Sequence, residues 1–117
     1  MPHIVIEVDK SLIKIIDPKE LVNNVHQAAM DTKLFDKSPG GVKVRLNTYK
    51  YWNNADEQSD FVHVFANIME GRTDKQKEKL SRGITEAIHA LCPDVEIIST
   101  QVIDIHKASY TNKDMVK

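Results

Sequence analysis

The chain has little on which several common chemistries depend. It holds one cysteine, Cys92, so no disulfide can form within it. No apolar run reaches the roughly 18 residues that suggest a membrane helix. No secretory or transit pattern is present, which makes a cytoplasmic location the default expectation. Charge of one sign is missing too: 16 Lys and Arg stand against 17 Asp and Glu, a net charge of -1. A nucleic-acid binder normally shows a basic excess. No Gly/Ser-rich or low-complexity stretch marks a linker, so 117 residues make one domain, 1–117. P-loop, dinucleotide-glycine and G-x-S-x-G patterns are absent. The five histidines show no metal-ligand spacing, and no metal or organic cofactor is expected. His89 and Cys92 form an H-x-x-C that reads as a buried thiol beside a surface histidine. A helix C-terminus disfavours a thiolate at Cys92. "SPGG", residues 38–41, lacks the lysine and strand of a phosphate loop and reads as a turn.

What is present is a unit used twice. "HIVIEV", residues 3–8, alternates as a strand. "DPKELVNNVHQAAMDTK" follows as a helix, with Asp17 as N-cap, Pro18 at its first position and Glu20 completing a capping-box pattern. Leu21, Val25 and Ala28 or Ala29 form its apolar stripe. "VKVRLN", residues 42–47, is a second strand with Val42, Val44 and Leu46 on one side. The pattern recurs in "DFVHVFANIM", residues 60–69, then in a helix over 73–91, then in "VEIISTQVIDI", residues 95–105. Thr73 and Gln76 cap the second helix, Leu80, Ile84, Ala87, Ile88 and Leu91 make its stripe, and Pro93 closes it. The pseudo-repeat spans 1–47 and 60–106, joined by "TYKYWNNADEQS". Each half is β–α–β with parallel strands and a right-handed crossover. The expected fold is α+β: one four-stranded mixed sheet with both helices on one face. The other face then carries Val5, Phe61 and Phe65 among His3, Glu7 and His63. A face so mixed is most easily covered by further copies of the chain.

Three features invite a chemical reading. Pro2 follows the initiator methionine and heads the first strand. Proline is tolerated at the first strand position because it has no N–H to donate. Alternatively, removal of Met1 would leave a secondary amine held by a strand, able to act as a general base. Lys43 and Arg45 lie two apart on a strand and so share a face, either as guards of a solvated edge or as an anion site. Arg72 precedes the cap of the second helix, whose N-terminal end favours an anion. It reads either as a bidentate carboxylate donor or as an arginine bonded to a neighbouring loop carbonyl.

The opening "MPHIVIE", the β–α–β repeat and "GRTDKQKEKLSRGI" together resemble the tautomerase superfamily. The run "YWNNADEQSDFVHV" resembles its 5-carboxymethyl-2-hydroxymuconate isomerase branch, and the resemblance covers Pro2 to about His106. It implies an amino-terminal proline as acid–base catalyst and a homotrimer whose sheets surround a barrel-like interior, with sites near subunit boundaries. It also implies an unsaturated carboxylate substrate from aromatic-ring degradation, in the homoprotocatechuate branch. Carried over, Pro2 matches the base, Arg72 the arginine of the second half and Arg45 a second-strand arginine. Many relatives have arginine where this chain has Lys43, which alters the shape of the carboxylate contact.

The resulting expectation is a cofactor-independent isomerase. Pro2, Arg72 and Arg45 are its candidate catalytic residues, and Lys43, Trp52 and Phe65 its candidate substrate-binding residues. An apolar surround and nearby arginines would keep the Pro2 amine neutral. His3 and His63 read as packed strand histidines or as helpers. A pendant Met1 would make Pro2 an amide and remove its basicity. The alternative is a tautomerase-fold oligomer that binds a ligand or partner without catalysis; a third reading is the same fold acting on another unsaturated or halogenated acid.

Overall fold

The computed structural model describes residues 2–36, 41–54 and 60–117. The 38–41 turn, apart from Gly41, and the 55–59 part of the linker lie outside the described residues. Six main elements follow in order: β1 (His3–Asp9), α1 (Pro18–Asp31), β2 (Lys43–Tyr49), β3 (Phe61–Met69), α2 (Asp74–Leu91) and β4 (Ile97–Ile105). The sheet order is β2-β1-β3-β4. β1 and β2 pair in parallel, as do β3 and β4, and β1 meets β3 antiparallel. Two β–α–β units therefore join into one mixed sheet, as the repeat implies.

Strand alternation creates the core. Ile4, Ile6 and Val8 of β1 and Val62, Val64, Ala66 and Ile68 of β3 are buried, and they pack with Leu21, Val25 and Ala29 of α1 and Leu80, Ile84 and Ile88 of α2. All of these belong to one cluster, so both helices cover the same sheet face. Each buried Ile, Leu or Val side chain among them contributes about 1.5–3 kcal/mol of burial. Ala29 rather than Ala28 is the buried alanine of α1, while Ala28 and Leu91 pack at the margin.

Local chemistry sets the helix ends. Asp17 accepts from Lys19 N at 3.0 Å. At α2 the full reciprocal box forms: Thr73 Oγ1 accepts from Gln76 N, and Gln76 Oε1 accepts from Thr73 N. Three details depart from sequence reading. A 3-10 turn, Lys10–Lys14, buries Leu12 between β1 and α1; one short turn has no repeating period to betray it. β2 runs on to Tyr49 because its register with β1 continues through Asp9. β4 begins at Ile97 because Val95 N–H turns back to Cys92 O at 3.2 Å. Two further 3-10 turns, Lys107–Ser109 and Lys113–Val116, follow β4.

Candidate active site

The antiparallel centre of the sheet brings the start of β1 beside the end of β3. His3 stands opposite Asn67, and Asn67 Nδ2 donates to His3 O at 3.0 Å. Pro2 immediately precedes β1 and is buried. Its carbonyl accepts from Lys43 N at 3.0 Å, so it heads β1 and β2 together. By strand parity Pro2 falls with Ile4 and Ile6 on the helix-covered side.

The second half delivers Arg72 to the same end. β3 ends at Met69, and the chain turns through Gly71, whose φ of 115° lies in the region that glycine tolerates best. That turn sets Arg72 immediately before the Thr73 cap. Arg72 Nη2 donates to Leu34 O at 2.6 Å, and the guanidinium lies over the Phe35 ring, 5.4 Å from its centroid. The loop carbonyl contact is thus present, and it ties α2 to the segment after α1. The same contacts hold the planar cation half-buried at a fixed place, which an anion site also needs. The helix end is partly answered already, by the capping box and by Asp74 in the first turn.

Lys43 and Arg45 both lie on the face opposite the helices. Lys43 aligns with His3 and Arg45 with Val5. Lys43 Nζ donates to Gly41 O at 3.0 Å. Arg45 Nη1 lies 3.3 Å from His3 Nδ1. Burial, then the charges of Arg45 and Lys43, push the His3 imidazole below its ordinary pKa. Pro2, Lys43, Arg45 and Arg72 therefore converge on one end of the sheet. Arg45 and Lys43 occupy the open face there, while Pro2 has the parity of the helix-covered face.

Trp52 and Phe65 are placed differently. Phe65 aligns with Val5 and Gln101 near the middle of the open face, its ring edge-on to His63 at 4.5 Å. His63 Nδ1 bonds Ser99 Oγ at 2.6 Å. Trp52 packs edge-on against Phe61 at 4.7 Å. Phe61 lies six residues along β3 from Asn67, which is about 20 Å at strand rise. Within one chain, then, Trp52 sits at the far end from Pro2. The mixed open face is as the sequence suggests: Phe61, His63 and Phe65 are each half-buried.

Sequence reasoning missed Phe35, Leu34 and Asn67. Phe35 and Leu34 follow the end of α1 without periodicity, so nothing in their spacing announces that they seat Arg72. Asn67 could have been found as the polar member of an alternating strand, facing the start of β1. Elsewhere, Cys92 is buried, and burial followed by the Glu20 charge pushes its thiol up, away from a thiolate. Among the described residues no three His, Cys, Asp or Glu side chains gather as metal ligands. No helix among the described residues is long and apolar enough to cross a membrane. An open groove of about 490 Å³ runs between the helices past Ala28, Gly83, Ala87 and Glu86, on the outer side of the helix layer and apart from Pro2.

Comparison with known proteins gives the arrangement a context. A family model described as 5-carboxymethyl-2-hydroxymuconate isomerase matches residues 2–106. No curated protein matches the chain. Among solved structures, a 5-carboxymethyl-2-hydroxymuconate isomerase from Deinococcus radiodurans R1 is similar, with a TM-score of 0.78 and 20% identity over 96% of this chain and 88% of that one. A 5-carboxymethyl-2-hydroxymuconate delta-isomerase gives a TM-score of 0.76 and 19% identity, covering 97% of this chain and 87% of that one. A fused 4-OT protein, a symmetric trimer, gives 0.70 and 17% identity, covering 96% and 94%.

Proposed function

The chain belongs to the 5-carboxymethyl-2-hydroxymuconate isomerase family, and from that premise we propose that it moves a proton within an unsaturated carboxylate such as 5-carboxymethyl-2-hydroxymuconate, with the Pro2 amine as acid–base catalyst. The observation that carries this reading is the convergence at one sheet end: a buried proline heading the central strand β1, with cations delivered there by β2 and by the turn into α2. Family membership makes the chain an isomerase and favours catalysis over a purely binding role.

In the proposed mechanism, removal of Met1 frees the secondary amine of Pro2. Its apolar, strand-held setting and the nearby cations disfavour the ammonium form and keep a lone pair available. The amine takes a proton from the hydroxyl of the conjugated enol, or from one carbon of the keto acid, and leaves a dienolate. It returns that proton at another carbon, so the amine ends as it began. Arg72 and Arg45 hold the carboxylate and stabilise the negative charge that accumulates on the dienolate oxygen. Lys43 adds charge without the planar fork of an arginine. No metal or organic cofactor enters these steps.

A homotrimer completes the reading. Its support is the half-buried aromatic and aliphatic character of the open sheet face, together with the trimeric assembly of similar folds. In such an assembly Trp52 and Phe65 approach a neighbouring subunit's Pro2 and line the site there, at the subunit boundary. The test is isomerisation of 5-carboxymethyl-2-hydroxymuconate by protein whose intact mass shows Met1 removed, compared with protein that retains Met1. Turnover confined to the trimmed form is expected. Equal turnover by both forms would reject Pro2 as the base.

A further inference from the structure

His3 holds an unusual position. Its main chain is clamped on both sides: its carbonyl accepts from Asn67 Nδ2, and the preceding carbonyl, of Pro2, accepts from Lys43 N. Its side chain emerges on the open face in the same row as Lys43. There its Nδ1 meets Arg45 Nη1 at 3.3 Å. A guanidinium has donors only, so Nδ1 must be the acceptor in this contact. A hydrogen bond here requires a neutral imidazole with its proton on Nε2. Protonation at Nδ1 would set N–H against N–H and cation against cation.

We propose that His3 is a positioning residue: its neutral Nδ1 holds the Arg45 guanidinium in place for a carboxylate, and proton uptake by His3 releases it. The proposal rests on the reading of Arg45 as a carboxylate contact and adds a residue and a pH dependence to it. The groups facing the ring bear this out. β2 contributes Lys43 and Arg45, and β3 contributes the neutral Asn67 and Phe65. Glu7, the carboxylate on the same face of β1, stands four residues further along and accepts from Tyr49 Oη at 2.6 Å. The helices lie on the other face. The named surroundings of His3 are thus cationic or neutral, and they favour the uncharged ring at neutral pH. An arginine already held by an acceptor loses less freedom on meeting its ligand.

Two measurements test this. The first needs no substrate. Imidazole ¹⁵N shifts should show the Nε2–H tautomer for His3 and a titration midpoint below 6.5, and Arg45→Ala should raise that midpoint. The second is the pH dependence of KM for the carboxylate substrate. His3→Leu removes the acceptor, and KM should rise about three- to tenfold near pH 7.5, by more than kcat falls. His3→Asn restores an acceptor oxygen at nearly the same reach but cannot titrate. It should recover a low KM and abolish the rise in KM expected of the wild type as pH falls below 6.5. An Nδ1–H tautomer, a midpoint indifferent to Arg45→Ala, or a wild-type KM in His3→Leu would overturn the proposal. If the tautomer and midpoint are as expected but Arg45→Ala leaves KM unchanged, the proposal falls through Arg45's role and not through the His3 contact.

Discussion

The two β–α–β halves trace the same path in opposite senses, so each end of the sheet has a counterpart at the other. At one end Lys43 N donates to Pro2 O at 3.0 Å; at the other Ile97 N donates to Asp60 O at 3.3 Å. The first residues of the two edge strands correspond, Lys43 to Ile97, and two residues on Arg45 corresponds to Ser99. The joints into the helices differ as well. After β3 the chain turns through Gly71 and Arg72 directly into the Thr73 cap. After β1 it spends a 3-10 turn, Lys10–Lys14, on burying Leu12. A repeated fold thus offers two equivalent mouths, and the sequence makes them unlike. One receives the buried Pro2, two strand cations and a seated arginine. The other receives an aspartate cap, an isoleucine and the Trp52–Phe61 pair. The backbone sets where chemistry can be placed; the side chains decide at which end it is.

The sharpest way to break this comparison is at Pro2, since nothing at the far end matches an amino-terminal amine. Blocking the amine, by retaining Met1 or by acetylation, should lower kcat/KM by about 10²–10⁴-fold, the usual worth of a general base. Pro2→Ala should be milder, because a primary amine remains a base. In the trimmed enzyme kcat/KM should rise with pH through one ionisation below the roughly 7.7–8.0 of an ordinary α-amine. A flat profile between about pH 5 and pH 8 would remove the amine from the mechanism.

The open sheet face is expected to serve assembly. Ile103 lies on the open face of β4, aligned with Asn67. Ile103→Asp would place a charge in the proposed subunit contact, where no partner is provided for it. Sedimentation at micromolar concentration should then show monomers in place of the proposed trimer. A variant that still sediments as the wild type does would mean that this face is not the interface.

The cations come next. Arg45→Ala and Arg72→Ala should each cost roughly 1.5–3 kcal/mol of charge-assisted binding, about tenfold to a hundredfold in kcat/KM. Ser99→Ala, at the position that mirrors Arg45, should leave turnover of the carboxylate near the wild-type rate. The two arginines should also differ from each other. Arg72 joins the Leu34 carbonyl and the Phe35 ring to the start of α2, so its loss should lower the melting temperature too. Arg45 is exposed on an edge strand, and its loss should barely move it. Turnover that survives both substitutions would put the anion site elsewhere.

That asymmetry marks the limit of what the sequence reveals. The periodicities of 2 and 3.6 and the capping residues suffice for both halves, because they express local contacts. The pairing of Arg72 with Leu34 and the distance of Trp52 from Pro2 depend on the antiparallel β1–β3 register, which no local pattern encodes. Trp52 and Phe65 read from the sequence as aromatic candidates for the site, with nothing to say on whose subunit. Trp52 lies at the far end of its own sheet, so only under the proposed trimer would it meet a site, that of another copy. Glu20 suggested a capping box at α1, yet Asp17 accepts from Lys19 N, a choice that only the helix geometry settles.

The smallest expected effect compares the two joints. Gly71 has a φ of 115°, a conformation that costs a side-chain-bearing residue about 1–3 kcal/mol. Open space surrounds the position where its Cβ would stand, so Gly71→Ala should lose stability through backbone strain alone, without a clash. Relief of that strain would rotate the turn and shift Arg72 off the Leu34 carbonyl. Gly71→Ala should therefore lower both the unfolding free energy and the affinity for the carboxylate. Lys14, in the joint after β1, is exposed and has an ordinary backbone, and Lys14→Ala should stay within about 0.5 kcal/mol of the wild type. Denaturant unfolding and KM measured on the two variants decide the matter. Stability lost at Gly71 with KM unchanged would show that Arg72 keeps its place without the turn. Equal, negligible changes in both variants would show that the joint after β3 is no more constrained than its counterpart.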